Sequence, residues 1–322
     1  MKQQFVSDLA PGDSVDDVFA LAEKAVAVKK NGENFLTFRF ADRTGDIRGV
    51  AWDDVAAIGD AARSGDFVRV TANVSEFRGA SQLTVRGLIR CDPESVRPED
   101  FLATTRHPLG VDGMFDRLVK TVQETVTDPH LRALMDAFFA DADFVRRFKI
   151  APAAKGMHHA FIGGLLEHTL SMTVLVRKIA AHYKGSLDES LLMVGTVLHD
   201  IGKIREFVYD TFIGYSDEGK LVGHISIGCG MVDEKAATLP EFPAETAWKV
   251  KHMIISHHGT KEFGSPVTPM ILEAVLLNLI DNIDAKMNGI RDFLAGQDPA
   301  EAWTAWNPML GNAIYRGRSE AD

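Results

Sequence analysis

Apolar and polar positions alternate through the first 90 residues, and a helical period takes over after about residue 113. Phe35-Leu36-Thr37-Phe38-Arg39-Phe40 alternates, Asp42-Arg43-Thr44-Gly45-Asp46 supplies turn residues, and 47–52 reads as the returning arm of a hairpin. Residues 66–74 and 82–89 predict two more strands, joined across Phe77-Arg78-Gly79, and 20–28 predicts a fifth. Five short strands separated by turn signals predict a small barrel. Residues 91–112 hold Pro93, Pro98 and Pro108 among charged residues and read as a linker. Beyond them the spacing predicts helices over 114–126 with Asp112 as cap, 131–139, 161–181, 190–202, 224–237, 245–258 and 269–286. Leu191, Leu192, Val194, Val197 and Leu198 form a buried stripe, and Gly202 reads as a left-handed C-cap behind it. The tail offers Trp303 and Trp306, read as a packed pair, then a basic end, Tyr315-Arg316-Gly317-Arg318. The pattern predicts a multidomain chain: an all-β barrel at 1–90, a linker at 91–112 and an all-α bundle at 113–322.

Composition narrows this picture. A chain of 322 residues has length enough for two domains and a sizeable core. Cys91 and Cys229 make no disulfide framework, zinc ribbon or redox pair. No run reaches the roughly 18 apolar residues that span a bilayer, and no apolar leader follows Met1. A cytoplasmic protein without a membrane partner is expected. The formal charge of −10 argues against overall attraction to nucleic acid. It is unevenly spread, for residues 1–90 carry 12 basic against 13 acidic side chains and the remainder carries 23 against 32.

The candidate chemistry centres on Leu198-His199-Asp200-Ile201-Gly202-Lys203. His168, the pair His199-Asp200, His224, the pair His257-His258 and Asp281 recur at intervals of about one helix and one loop. Each would come from a separate helix and point into the bundle centre, where rigid elements can hold ligands at metal distance. Imidazoles with carboxylates are donors for first-row divalent metals, and Asp200 could bridge two. Asp281 stands inside the apolar run Leu276-Leu277-Asn278-Leu279-Ile280, where an acid is costly unless paired or coordinated. His107, His130, His182 and His252 stand alone and read as surface or satisfied core.

The strand order, with Lys29-Lys30-Asn31-Gly32 before Phe35–Phe40, then Asp42-Arg43-Thr44-Gly45 and Val50-Ala51-Trp52-Asp53, resembles a nucleic-acid-binding OB-fold. Such barrels stack bases on aromatic rings while basic side chains track the phosphates. Phe38, Phe40, Trp52 and Phe77 are candidate rings, most expected inside the barrel. Lys29, Lys30, Arg39, Arg48 and Arg78 are candidate contacts, and Lys29, Lys30 and Arg78 are the ones assigned to substrate. Residues 115–290 resemble the HD-domain phosphohydrolase superfamily. That resemblance implies one metal on His168, His199, Asp200 and Asp281. It implies a second metal on His224 and His257 or His258, with Asp200 bridging and water attacking phosphorus. Lys203, one helical turn past the pair, would neutralise developing phosphate charge, competing with simple compensation of a helix dipole.

Five blocks in order sharpen the likeness: Gly163-Gly164-Leu165-Leu166-Glu167-His168-Thr169, His199-Asp200-Ile201-Gly202-Lys203, 219–225, Ser256-His257-His258-Gly259 and 281–286. Together with the barrel they resemble the YhaM-type 3′-5′ exoribonuclease family. Membership implies hydrolysis of single-stranded RNA, and often DNA, from the 3′ end, with manganese favoured and iron or another first-row metal as alternatives. His158 and His159 also match that family, and His159 is expected to face the substrate phosphate. A second reading keeps the chemistry but takes a small nucleotide or cyclic dinucleotide as substrate, the barrel being regulatory. A third keeps the site for structure alone, against which stands its complete ligand set. Self-association into a homo-oligomer is left open.

Overall fold

The computed structural model describes residues 2–77, 79–97, 100–155 and 159–317. Arg78, Pro98, His158 and Arg318, named from the sequence, lie outside the described residues. Two compact units are present, residues 1–104 with 208–214, and residues 105–207 with 215–322.

The first unit is a closed barrel of β1 (Ser14–Val28), β2 (Asn34–Asp42), β3 (Gly45–Ala51), β4 (Phe67–Phe77) and β5 (Ala80–Arg90), in the order β1-β2-β3-β5-β4. β1 is long enough to pair with β4 through its first half and β2 through its second. A bulge between Leu21 and Glu23 bends it from one partner to the other. The parallel pairing of β3 with β5, Gly49 opposite Leu83, closes the barrel. Phe19, Leu21, Leu36, Phe40 and Leu83 fill the interior. Each such buried side chain contributes roughly 1.5–3 kcal/mol. Alternation therefore sorts the candidate rings: Phe38 and Phe40 are buried, whereas Trp52 and Phe77 are exposed. A short helix, α1 (Val55–Asp60), follows β3.

The second unit contains α2 (Gly110–Thr125), α3 (Pro129–Phe139), α4 (Ala142–Ile150), α5 (Gly164–His182), α6 (Glu189–Leu198), α7 (Lys203–Glu206), α8 (Asp217–Val222), α9 (His224–Ala236), α10 (Ala244–Ser256) and α11 (Leu272–Ala295). The ribbon of β8 (Trp303–Asn307) and β9 (Asn312–Tyr315) accompanies these helices, while β6 (Phe207–Val208) and β7 (Gly214–Tyr215) pair where the chain passes from one unit to the other and back. α5, α6, α10 and α11 pack against one another around Leu165, Leu198, Val250 and Leu277, all fully buried. Asp128, Asp141 and Asp188 cap α3, α4 and α6 by accepting from first-turn amides.

Three expectations are corrected. α4 lies in a stretch with no predicted helix, because nine residues hold too few periods for its stripe to stand out. Trp303 and Trp306 are not a packed pair but exposed positions on the β8–β9 hairpin, where Trp303 lies against Tyr315. Gly202 is right-handed, with φ −60° and ψ −22°, so a left-handed cap is not its reason for being glycine. A β-carbon there would overlap the carbonyl oxygen of His224 and lie 2.8 Å from the Gly228 amide nitrogen. Close approach of α9 is what excludes a side chain.

Candidate metal centre

Two helix ends deliver histidines by the same device. α6 ends at Leu198 and α10 at Ser256, leaving carbonyls of the last turn without an intrahelical partner. The next residue in each case is histidine, and its Nδ1 meets the carbonyl three residues back, His199 with Thr196 O at 2.8 Å and His257 with Ile254 O at 2.6 Å. An Nδ1–H donating to a carbonyl leaves Nε2 as the bare lone pair and aims it away from the helix. His168, in the second turn of α5, and His224, first residue of α9, are held by carboxylates instead. His168 Nδ1 lies 2.8 Å from Asp284 Oδ2 and His224 Nδ1 lies 2.9 Å from Glu206 Oε1.

The four Nε2 atoms converge on Asp200. His168 Nε2 is 3.3 Å from His199 Nε2, 3.4 Å from Asp281 Oδ1 and 3.9 Å from Asp200 Oδ2. His199 Nε2 is 3.2 Å from that same Asp200 oxygen. The other oxygen, Oδ1, is 3.6 Å from both His224 Nε2 and His257 Nε2. His258 closes this second group, its ring 4.1 Å from that of His257 and 5.3 Å from that of His224. One carboxylate thus presents one oxygen to each of two donor clusters.

The donor set fits divalent metal. Asp200 Oδ1, His224 Nε2, His257 Nε2 and His258 Nδ1 are buried and have no hydrogen-bond partner among the described residues. Three of them, Asp200 Oδ1, His224 Nε2 and His257 Nε2, face one space, which is costly unless a cation collects them. Burial keeps His257 and His258 below the usual imidazole range, so both are neutral donors. In the first cluster burial opposes charge on His168, but Asp281 and Asp284 raise it to about 9. Burial also opposes ionisation of Asp200, and Lys203 and His199 hold it well below the carboxylate range all the same. Lys203 Nζ lies 2.6 Å from Asp200 Oδ2, and that pairing outweighs burial to keep the amine charged.

These features match known proteins over nearly the whole chain. The HD domain family matches residues 165–286, and the OB-fold nucleic acid binding domain family matches residues 23–89. The protein named 3'-5' exoribonuclease YhaM in Bacillus subtilis is 36% identical over 293 residues, 90% of either chain. Its namesake in Oceanobacillus iheyensis is 31% identical over 312 residues, 96% of either chain. The chain belongs to the YhaM 3'-5' exoribonuclease family. Every metal-ligand residue expected from the sequence is found in these two clusters, with Lys203 beside them.

His159, expected to face the substrate phosphate, lies beside His168 and Asp284. It is buried, with φ +55°, and its Nε2 lies 3.4 Å from Asp284 Oδ2 while Nδ1 lies 3.8 Å from Glu167 Oε1. Lys29 Nζ donates to Trp52 O and Glu33 Oε2, both at 3.2 Å, and Lys30 is exposed. On the barrel face Trp52 stacks on Phe35 at 4.7 Å and 22° in a groove of about 690 Å³ that also holds Arg39, Arg48 and Phe77. His107, His130, His182 and His252 lie outside both clusters. Sequence reasoning missed Glu206 and Asp284. The signal for Asp284 was an acid three residues after Asp281, hence on the same face of α11; nothing local marked Glu206.

Proposed function

We propose that the protein is a metal-dependent 3′-5′ exonuclease acting on single-stranded RNA, with single-stranded DNA as a second substrate and two manganese ions as cofactor. The observation that carries this reading is the two-sided presentation of Asp200, one oxygen toward His168, His199 and Asp281, the other toward His224 and His257. When bound, a pair of ions supplies Lewis acidity toward a phosphoryl oxygen and a nucleophilic water. Asp200 would hold the two ions side by side, Asp281, His168 and His199 one of them, His224, His257 and His258 the other. Lys203, kept protonated by Asp200, places a fixed positive charge where phosphate charge develops. Manganese is favoured over magnesium because five imidazoles suit a softer ion.

The stack of Trp52 on Phe35, with Arg48 and Lys30 exposed near it in sequence, supports base stacking and phosphate contact by the barrel. Direction of cleavage rests on the relatives, which carry it in their name. Purified protein incubated with manganese and 5′-labelled single-stranded RNA should give a ladder of progressively shorter labelled products. Release of a single labelled mononucleotide at the outset would reverse the direction. Cleavage of a cyclic dinucleotide with no ladder from RNA would favour the small-substrate reading.

A further inference from the structure

The four ligand imidazoles with Nε2 in the centre are held from behind in two ways. His199 and His257 lean on neutral carbonyls of their own helices, whereas His168 and His224 lean on buried carboxylates from elsewhere in the fold. The two carboxylates are divided between the clusters. Asp284, 3% exposed, sits one turn beyond Asp281 on α11, so the two acids bracket one imidazole, Asp281 at Nε2 and Asp284 at Nδ1 of His168. Its remaining oxygen takes the Ser171 hydroxyl, and His159 Nε2 approaches from the loop before α5. Glu206, 7% exposed, accepts both the ring Nδ1–H of His224 and that residue's backbone N–H at 3.0 Å. It thereby serves as the anion at the N-terminus of α9 and the clamp on α9's first side chain.

We propose that Asp284 and Glu206 are positioning residues, one for each metal: Asp284 fixes His168 for the first ion and Glu206 fixes His224 for the second. The inference rests on the two-ion reading above. A carboxylate behind an imidazole locks the ring's tautomer and orientation and makes its outward nitrogen more basic, and removing such a partner costs about 10- to 100-fold in metal affinity. Because each acid backs a histidine of one cluster only, each loss should fall on one ion and spare the other. His159, with Nε2 3.4 Å from Asp284 Oδ2, is then a support for Asp284.

Manganese binding to the full chain, measured by equilibrium dialysis with metal analysis, tests the assignment independently of turnover. The wild-type chain should bind two ions. Asp284→Asn should weaken one by about 10- to 100-fold, Glu206→Gln should weaken one by a similar factor, and the double variant should weaken both. His258→Ala, which trims the second cluster, marks whose ion is whose: combined with Asp284→Asn it should leave no tight ion, combined with Glu206→Gln one. General destabilisation does not produce this selectivity. Should Asp284→Asn fail to fold, Glu206→Gln alone must still weaken one ion of the two. Two bound ions with affinities unmoved in both variants, or the same ion lost in both, would overturn this inference alone. A wild-type chain that holds one ion would overturn the two-ion reading and the division of labour with it.

Discussion

A β-carbon on Gly202 would overlap the carbonyl oxygen of His224, so the turn after His199-Asp200 and the start of α9 touch backbone to backbone. That contact brings the residue that supplies one donor cluster up against the residues that supply the other. Gly202→Ala should push α9 away and carry His224 off Asp200, costing manganese and activity together while the barrel is untouched. Metal content and far-UV circular dichroism of the variant check this; a variant with full metal content and activity would show the approach to be dispensable.

Asp200→Ala should abolish nuclease activity and leave neither ion tightly held, because both clusters lose their shared ligand. It also strips Lys203 of its buried partner, a kind of loss that costs about 3–5 kcal/mol when one member of a buried pair is removed. Thermal melting with and without chelator separates the two effects. Full activity in Asp200→Ala would contradict the shared-carboxylate arrangement.

Chelation should silence the enzyme, and manganese should restore it better than magnesium, since magnesium prefers oxygen donors and keeps its waters. Restoration by magnesium alone would count against five histidines as ligands.

Trp52→Ala should weaken binding of single-stranded RNA by about 1–3 kcal/mol, the usual worth of one stacked base. Lys30→Ala should reduce the steepness with which affinity falls as salt is added. Neither should alter hydrolysis of a small model phosphodiester. Equal losses on RNA and on the model compound would show that the barrel does not gather substrate.

The metal-free chain should respond to pH through His168. Its ring titrates near 9 in the fold against 6.5 for an unperturbed imidazole, so folding favours the protonated form. That contribution to stability is fully present below pH 6.5 and fades as pH rises through about 9. Manganese needs the same nitrogen bare, so its affinity should rise across that interval with release of a proton. Calorimetry in buffers of different ionisation enthalpy measures the proton released, and affinity flat across the interval would refute the prediction.

Much of the molecule is legible along the chain because the forces that shape it are local. Alternation places Phe38 and Phe40 on one face of β2, which is the inward face of any barrel built from it. The helical period isolates Asp281 in apolar surroundings, and an acid there signals a partner before the partner is known. Asp284 on the same helix was open to the same reasoning but was not singled out. Gly202 was read with the wrong cause, since a tight turn and a close neighbour both demand glycine and only the second is invisible from flanking residues.

By itself the sequence determined the barrel followed by the helical bundle and which histidines and acids are candidate metal donors, since periodicity and residue chemistry are properties of short stretches. Only the tertiary structure decided which oxygen of Asp200 faces which cluster, that Asp284 and Glu206 stand behind two of the histidines, and that His159 is turned inward. Those outcomes depend on the packing of helices distant in the chain, α5 against α11 and α7 against α9. A contact across 116 residues, such as His168 with Asp284, leaves no trace in the spacing of either neighbourhood.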